Sequence, residues 1–319
     1  CGFVGIASKS ELEDIGSWTK IASKQIKHRG PDDSGYWVSD DNKVELAHRR
    51  LAVVDISYLA AQPMSNEGFG LTIAFNGEIY NYKEIREDLK KIGYSFKSSS
   101  DTEVILAAFK EWGKECIKIF NGMFAFAIYD SKNQELFIAR DRAGEKPLFY
   151  CADHTSISFS SELKGLIKNK KITREVDKKS LDCFLSFGFV PGKKCIYSEI
   201  NKLEAGSWLT FNTSSGKLVL KKYWEIPNSI NKIKRENNLL TEFGSLFNES
   251  VAKQLEADVP VGVLLSGGLD SSLVTAAAAK QKANIKTFNV RFPGFGKLDE
   301  TEHARKIADY FGTEHIELD

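Results

Sequence analysis

The sequence predicts two units of different class. A layered α+β domain comes first, followed by the start of an α/β domain built on a doubly wound parallel sheet. Three observations carry this. A chain of 319 residues holds about two domains at roughly 150 residues each. Before about Trp224, strand-like runs are interrupted by pairs of helices without regular alternation. After it, strand and helix patterns alternate strictly. Hydrophobic residues at 42% and aromatics at 11% supply a sizeable core and exclude a mainly disordered or collagen-like chain.

Phe3 to Ala7 is a short apolar run suited to a buried strand, and a helical stretch follows to about Lys27. Strand-like segments come at Tyr36–Val38, Val44–Ala47 and Leu71–Phe75. One helix pattern covers Tyr82 to Ile92. A second opens after Asp101 and runs through Ile105, Phe109 and Trp112 to about Phe120. Four more strands are expected at Met123–Tyr129, Glu135–Ala139, Leu148–Cys151 and Ser156–Phe159. The polar stretch Asn228 to Asn238 has the composition of a linker. Beyond it, a helix carrying Leu239, Leu240, Phe243, Leu246, Phe247 and Val251 leads to a strand at Val261–Leu265. A glycine-rich turn, a helix Ser271–Gln281, a strand Ile285–Phe292, a helix Asp299–Phe311 and a strand His315–Leu318 complete the β-α-β-α-β series. A complete nucleotide-binding sheet normally has more strands, so this unit is expected to be cut short. There is no internal repeat.

Lys plus Arg number 44 against 43 for Asp plus Glu, a net charge of +1, which gives no argument for nucleic acid or an anionic membrane as partner. The five cysteines, at 1, 116, 151, 183 and 195, form no CxxC pair and no metal spacing. No apolar run approaches the roughly 20 residues of a membrane span, and no signal-peptide pattern opens the chain. A reduced, cytoplasmic setting is expected.

Cys1 is the oddest residue. A cysteine with a free α-amine is a self-contained catalytic pair. The thiolate is the nucleophile, and an amine with a reference pKa of about 8 carries a proton near neutrality. A cysteine made first by cleavage, or a lipid-bearing one, is the alternative. A lipid tether calls for a flexible polar segment, whereas Gly2-Phe3-Val4-Gly5-Ile6 reads as a strand entering a core. Four clusters stand at element ends: Arg29-Gly30-Pro31-Asp32, His48-Arg49-Arg50-Leu51, Phe75-Asn76-Gly77-Glu78-Ile79-Tyr80-Asn81 and Ser100-Asp101-Thr102-Glu103. Acyl transfer from an amide needs donors for a developing oxyanion, which Asn76 and the Gly77 N–H offer. An amino-acid substrate needs an arginine for its carboxylate, such as Arg50, and acids for its ammonium, such as Glu78 and Asp101. Taken singly, Asn76-Gly77 is also a turn dipeptide, Asp101 a helix N-cap and Arg50 a surface ion pair.

With Cys1, these clusters resemble the class II glutamine amidotransferase domain, an N-terminal-nucleophile hydrolase with an αββα sandwich. The match covers about residues 1–210 and includes Gly122-Met123-Phe124-Ala125-Phe126, Arg140-Asp141-Arg142-Ala143-Gly144, Lys146-Pro147-Leu148 and Ser161-Glu162-Leu163-Lys164. The resemblance implies that Cys1 attacks the glutamine side-chain amide with its own amine as general base. Asn76 and Gly77 would form the oxyanion hole, and Arg50, Leu51, Glu78 and Asp101 would bind glutamine. Ala60 departs from the glycine expected before Gln62-Pro63-Met64, in what reads as a loop.

The string Leu264-Leu265-Ser266-Gly267-Gly268-Leu269-Asp270-Ser271-Ser272 lies between a strand and a helix. Its glycines let backbone N–H groups approach an anion, and the helix directs its positive end there. No Lys-Ser/Thr pair follows, so this is not the Walker pattern. It resembles the pyrophosphate loop of enzymes that cleave ATP to AMP and pyrophosphate. Ser266, Gly267, Gly268, Asp270 and Ser271 would contact pyrophosphate or its magnesium, with Asp270 the metal ligand. Leu264 and Val290 would flank adenine. Asp299 and Glu302 read as a helix capping pair, and His303 and His315 as structural.

The two motifs in this order resemble the glutamine-hydrolysing asparagine synthetase family. That implies residues 1–210 as the amidotransferase domain, 211–235 as a connector and 236–319 as the start of an adenylating synthetase domain. The implied reaction sends ammonia through a dry passage to an adenylated carboxylate, with aspartate the expected acceptor. Glutamine and MgATP would be substrates, with no tightly bound cofactor. This length is expected to retain glutaminase activity only. A related amidotransferase with a sugar-acid or peptide acceptor, or a lipid-anchored protein with a processed Cys1, is the alternative. Homodimerisation is left open.

Overall fold

Alternation of apolar residues along the strands builds the first unit. In chain order it contains β1 (Gly2–Ser8), α1 (Ser17–Gln25), β2 (Asp33–Val38), β3 (Val44–Arg50), β4 (Met64–Asn66) and β5 (Leu71–Ile79). Helices α2 (Tyr82–Lys91) and α3 (Asp101–Trp112) follow, then β6 (Gly122–Asp130), β7 (Glu135–Arg140), β8 (Phe149–Ala152) and β9 (Ser156–Ser160). The unit closes with α4 (Leu163–Leu166), α5 (Lys178–Phe187), β10 (Asn201–Lys202), β11 (Ser207–Asn212) and β12 (Leu218–Lys222). The computed structural model describes residues 1–227, 236–294, 296 and 299–319, and they divide into two units, Cys1–Ile226 and Pro227–Asp319.

The strands form two six-stranded sheets, ordered β10-β8-β9-β1-β3-β2 and β12-β11-β7-β6-β5-β4. One face of each sheet meets the other. Phe3, Ala7, Val44 and Leu46 pack with Ala74, Ala125, Ala127, Leu136 and Ile138 in a shared buried cluster. The opposite faces are covered by helices. Val4 and Ala47 pack on Ala22 of α1 and the adjoining Ile26, while Ile73, Phe75 and Phe126 pack on Leu89, Ile105 and Phe109. Period two in the strands and 3.6 in the helices thus produce the four αββα layers.

Several expectations change. The helix begun at Asp101 ends at Trp112, because Gly113 takes a positive φ of 57°, and a 3-10 turn fills Gly113–Lys118. The strand expected to end at Phe75 continues through Asn76 and Gly77 to Ile79, so this dipeptide is not a turn. Helices α4 and α5 and strands β4, β10, β11 and β12 are not among the expected elements. Strand β12 pairs antiparallel with β11 at the sheet edge, so the first unit continues to Ile226, and residues 211–226 belong to it rather than to a connector. Of the expected linker, residues 228–235 lie outside the described residues, and 236–238 already belong to a helix.

The second unit contains α6 (Glu236–Gln254), β13 (Gly262–Leu264), α7 (Leu269–Gln281), β14 (Lys286–Val290), α8 (Thr301–Phe311) and β15 (Glu314–Leu318). The strands pair in parallel in the order β13-β14-β15, with helical crossovers between them. Val251, Val263, Ala277, Ala278 and Ile285 form its principal core. No helix among the described residues is long and apolar enough to cross a membrane.

Candidate functional site

The site lies where the inward files of three strands run out of apolar residues. By strand alternation Cys1 shares the face of Phe3 and Ala7 on β1. His48 and Arg50 continue the file of Val44 and Leu46 on β3, and Asn76 and Glu78 continue that of Ala74 on β5. Cys1, Arg50, Leu51, Asn76, Gly77, Glu78 and Asp101 all line one cavity of about 90 Å³. The structure therefore gathers every residue expected at the glutamine site.

Cys1 is pinned through its backbone. Its amine donates to the Arg29 carbonyl at 2.7 Å, and Arg29 Nε donates to the Cys1 carbonyl at 2.9 Å. Arg29 in turn pairs with Glu162 at 3.1 Å. Cys1 Sγ lies 3.4 Å from both the N–H and the carbonyl of Leu51, so Leu51 contributes its backbone while its side chain is exposed. Burial lowers the amine from 8.0 to about 5, and the positive charges of Arg29 and Lys146 add to this against Asp32 and Glu78. The amine is therefore unprotonated at neutral pH.

The oxyanion donors follow from sheet register. Gly77 faces Phe124 across β5 and β6. The Phe124 N–H donates to Asp141 Oδ2 and its carbonyl accepts from the Asp141 N–H. Gly77 and Phe124 are thus a pair that exchanges no ladder bonds, and the Gly77 N–H faces away from β6. On the same edge two residues either side, the Phe75 N–H is taken by Gln62 Oε1 at 2.7 Å and the Ile79 N–H by Asp101 Oδ2 at 3.1 Å. The N–H between them stays available. A Cβ at Gly77 would lie 2.2 Å from the Met123 carbonyl, so only glycine fits. Asn76 is buried, and its Nδ2 has no partner. A buried unpaired donor beside an unpaired N–H is what an oxyanion requires.

Arg50 is buried rather than a surface ion pair, and its guanidinium donates to the carbonyls of Ser57, at 2.9 Å, and Asp55. Asp101 is not the N-cap of α3. Ser100 fills that position by accepting the Thr102 N–H, which leaves the Asp101 carboxylate to reach Ile79. Burial raises Asp101 to about 7, with neighbouring Glu78 adding and the Ile79 N–H opposing. Burial also raises Glu78, against the nearby cation of Lys146 and, when it is protonated, the Cys1 amine. Lys146 and Gln62, for which the sequence alone suggests no role, also line the cavity. Ala60 is no ordinary loop residue: it is buried in a short 3-10 turn and lines the same cavity.

In the second unit, Leu264, Ser266 and Val290 line a groove of about 340 Å³ at the carboxyl ends of β13 and β14. Gly267, Gly268, Asp270 and Ser271 form the adjoining turn and first helical residues but do not line that groove. Gly267 has φ 85°, and a Cβ there would sit 2.6 Å from the Ala304 nitrogen. Ser266 Oγ lies 3.0 Å from Ser271 Oγ and accepts the Gly268 N–H at 3.3 Å. No side chain caps α7, so its first N–H groups can meet an anion. Asp270 is exposed in the first helical turn. Asp299 bonds the Thr301 N–H, but Glu302 pairs with Lys306, so the expected capping pair is half formed. His315 Nδ1 lies 2.9 Å from Thr287 Oγ1 between β15 and β14. Among the described residues, no group of three or more His, Cys, Asp or Glu side chains is arranged to hold a metal.

Comparison with known proteins agrees with both halves. The family model for the glutamine amidotransferase domain matches residues 1–224, and that for asparagine synthase matches residues 242–319. Asparagine synthetase (glutamine-hydrolyzing) 1 of Bacillus subtilis is 37% identical, with 99% of this chain and 49% of that protein aligned. Asparagine synthetase B of Escherichia coli is 31% identical over 100% of this chain and 54% of that protein. The chain thus spans about half the length of these curated relatives. Among solved structures, a glutamine phosphoribosylpyrophosphate amidotransferase from B. subtilis superposes with a TM-score of 0.52 at 18% identity, covering 99% of this chain and 65% of that one. That likeness shows the fold, an αββα sandwich followed by an α/β unit. The chain belongs to the glutamine amidotransferase domain family and carries that domain ahead of a segment that matches asparagine synthase, and it resembles glutamine-hydrolysing asparagine synthetases along its length.

Proposed function

We propose that the first unit hydrolyses glutamine. The observation that carries the reading is the convergence of Cys1, Arg50, Asn76, Gly77, Glu78 and Asp101 on one cavity, with the Cys1 amine held neutral. Arg50 binds the substrate carboxylate, while Asp101 and Glu78 bind its ammonium. The Cys1 amine takes the thiol proton and the sulfur attacks the side-chain carbonyl. The resulting oxyanion accepts from Asn76 Nδ2 and the Gly77 N–H. The C–N bond breaks as the protonated amine returns its proton to the leaving group, giving ammonia and a glutamyl thioester. Water, deprotonated by the same amine, then cleaves the C–S bond to give glutamate and the free thiol.

The second unit contributes to an ATP site. The turn at Ser266–Ser271 fits a pyrophosphate group, because it joins unpaired helix N–H groups to two serine hydroxyls in a backbone shape that excludes a Cβ. Leu264 and Val290 offer apolar surface for adenine. Magnesium would arrive with the nucleotide's phosphates, and Asp270 is the ligand the chain supplies. ATP supplies the activation of a carboxylate as its adenylate, for which aspartate is the acceptor we favour, given the names of the relatives. Ammonia reaches it unprotonated only if kept from bulk water.

This chain, at about half the relatives' length, is proposed to perform glutamine hydrolysis alone. Mass spectrometry of protein quenched during turnover tests the chemistry. A glutamyl adduct on the Cys1 peptide is expected, and an adduct on any other cysteine would refute the assignment. Asparagine formed from aspartate, ATP and glutamine would refute the restriction to hydrolysis.

A further inference from the structure

Phe75 is a strand residue whose outer edge has no strand beside it. β4 pairs with β5 only as far as Met64 opposite Ile73, so the ladder on that edge stops before Phe75. Side chains replace it. The Phe75 N–H donates to Gln62 Oε1, and the Phe75 carbonyl lies 2.8 Å from His48 Nε2. A carbonyl can only accept, so His48 carries its proton on Nε2 and leaves Nδ1 bare, buried and without a partner. Burial drives the ring down to about 3, which keeps it neutral. A polar ring with one orphaned nitrogen is a costly occupant for a file that Val44 and Leu46 fill with hydrocarbon. His48 does not line the cavity, yet its bond is aimed at one peptide: the Phe75 carbonyl shares its plane with the Asn76 N–H.

We infer that His48 is a positioning residue for the proposed hydrolysis, holding the Phe75–Asn76 peptide so that Asn76 Nδ2 and the Gly77 N–H converge on the substrate oxyanion. The inference rests on the function proposed above. Oxyanion bonds strengthen as charge develops, so losing their alignment lowers kcat and leaves KM for glutamine largely unchanged.

The test measures glutamate release by the 319-residue chain, its His48→Leu and His48→Gln variants, and each change combined with Asn76→Ala. The Gln amide carries an N–H about as far from the backbone as His Nε2. His48→Leu is expected to lose about 10- to 100-fold in kcat with KM within about twofold, and His48→Gln to stay within about fivefold of the parent. In the Asn76→Ala background, His48→Leu should cost less than it does alone, because the part of its effect that passes through Asn76 is already lost. Should His48→Leu not fold, His48→Asn replaces it, being polar but too short to reach the Phe75 carbonyl. An unchanged kcat in His48→Leu, or full additivity with Asn76→Ala, overturns the inference alone. An inactive parent chain overturns the functional reading and this inference with it.

Discussion

Asp101 should impose a titration on substrate capture that is separate from that of the catalytic base. Its carboxyl is buried at 5% exposure, stands near Glu78 and is held up at about 7 despite the Ile79 N–H bond. A raised acid is neutral below its pKa and anionic above it, so the form that binds the glutamine ammonium is present above about pH 7 and lost as pH falls. The ionised fraction drops from about nine tenths at pH 8 to about one tenth at pH 6, a loss of about tenfold in kcat/KM. The Cys1 amine, at about 5, remains mostly unprotonated throughout that interval and contributes little. Bound substrate ammonium favours the carboxylate, so kcat should be nearly flat from pH 6 to 8 while KM rises toward acid. Initial rates of glutamate release at varied glutamine, from pH 5.5 to 8.5, test this. Asp101→Asn should raise KM at pH 8 and abolish the limb near 7. A flat kcat/KM between pH 6 and 8, or an Asp101→Asn variant with the parental KM, would refute the reasoning.

Other outcomes follow from the same geometry. Asn76→Ala should lower kcat by about 10²- to 10³-fold with a small change in KM, as expected for removing one oxyanion donor and checked by steady-state kinetics. In Gly77→Ala the new methyl group meets the Met123 carbonyl, so β5 must shift, and thermal melting should show lower stability together with lost turnover. A residue joined ahead of Cys1 converts the amine to an amide that cannot accept a proton, and glutamate release should disappear while circular dichroism stays the same. In the second unit, Gly267→Ala places a Cβ against α8 at a positive φ, and a stabilisation by MgATP seen in the parent melting curve should be lost.

Much of this was legible in the sequence because period two and period 3.6 are local. Val44, Leu46, Ile73 and Phe75 announce strands, and the alternation after Trp224 announces a parallel sheet. Edge and linking elements were less so. β12, Leu218–Lys222, is mostly exposed, and α5, Lys178–Phe187, buries little besides Ser180, so neither carries the contrast that periodicity needs. At the site, residue types pointed to Cys1, Arg50, Asn76, Glu78 and Asp101, which the fold brings to one cavity. What stayed hidden depends on contacts far apart in the chain. The Gly77 N–H is available because Phe124 bonds to Asp141. The Cys1 amine is neutral because the fold buries it, with the positive charges of Arg29 and Lys146 adding to the effect. His48 and Gln62 meet at Phe75 only after the two sheets pack.

The most direct test of the central claim is glutamate release from glutamine by the 319-residue chain against its Cys1→Ala variant, with both confirmed as folded. The account predicts steady turnover by the parent and none above background by the variant, since no other group at the cavity replaces the sulfur. Equal release by the two proteins would contradict it.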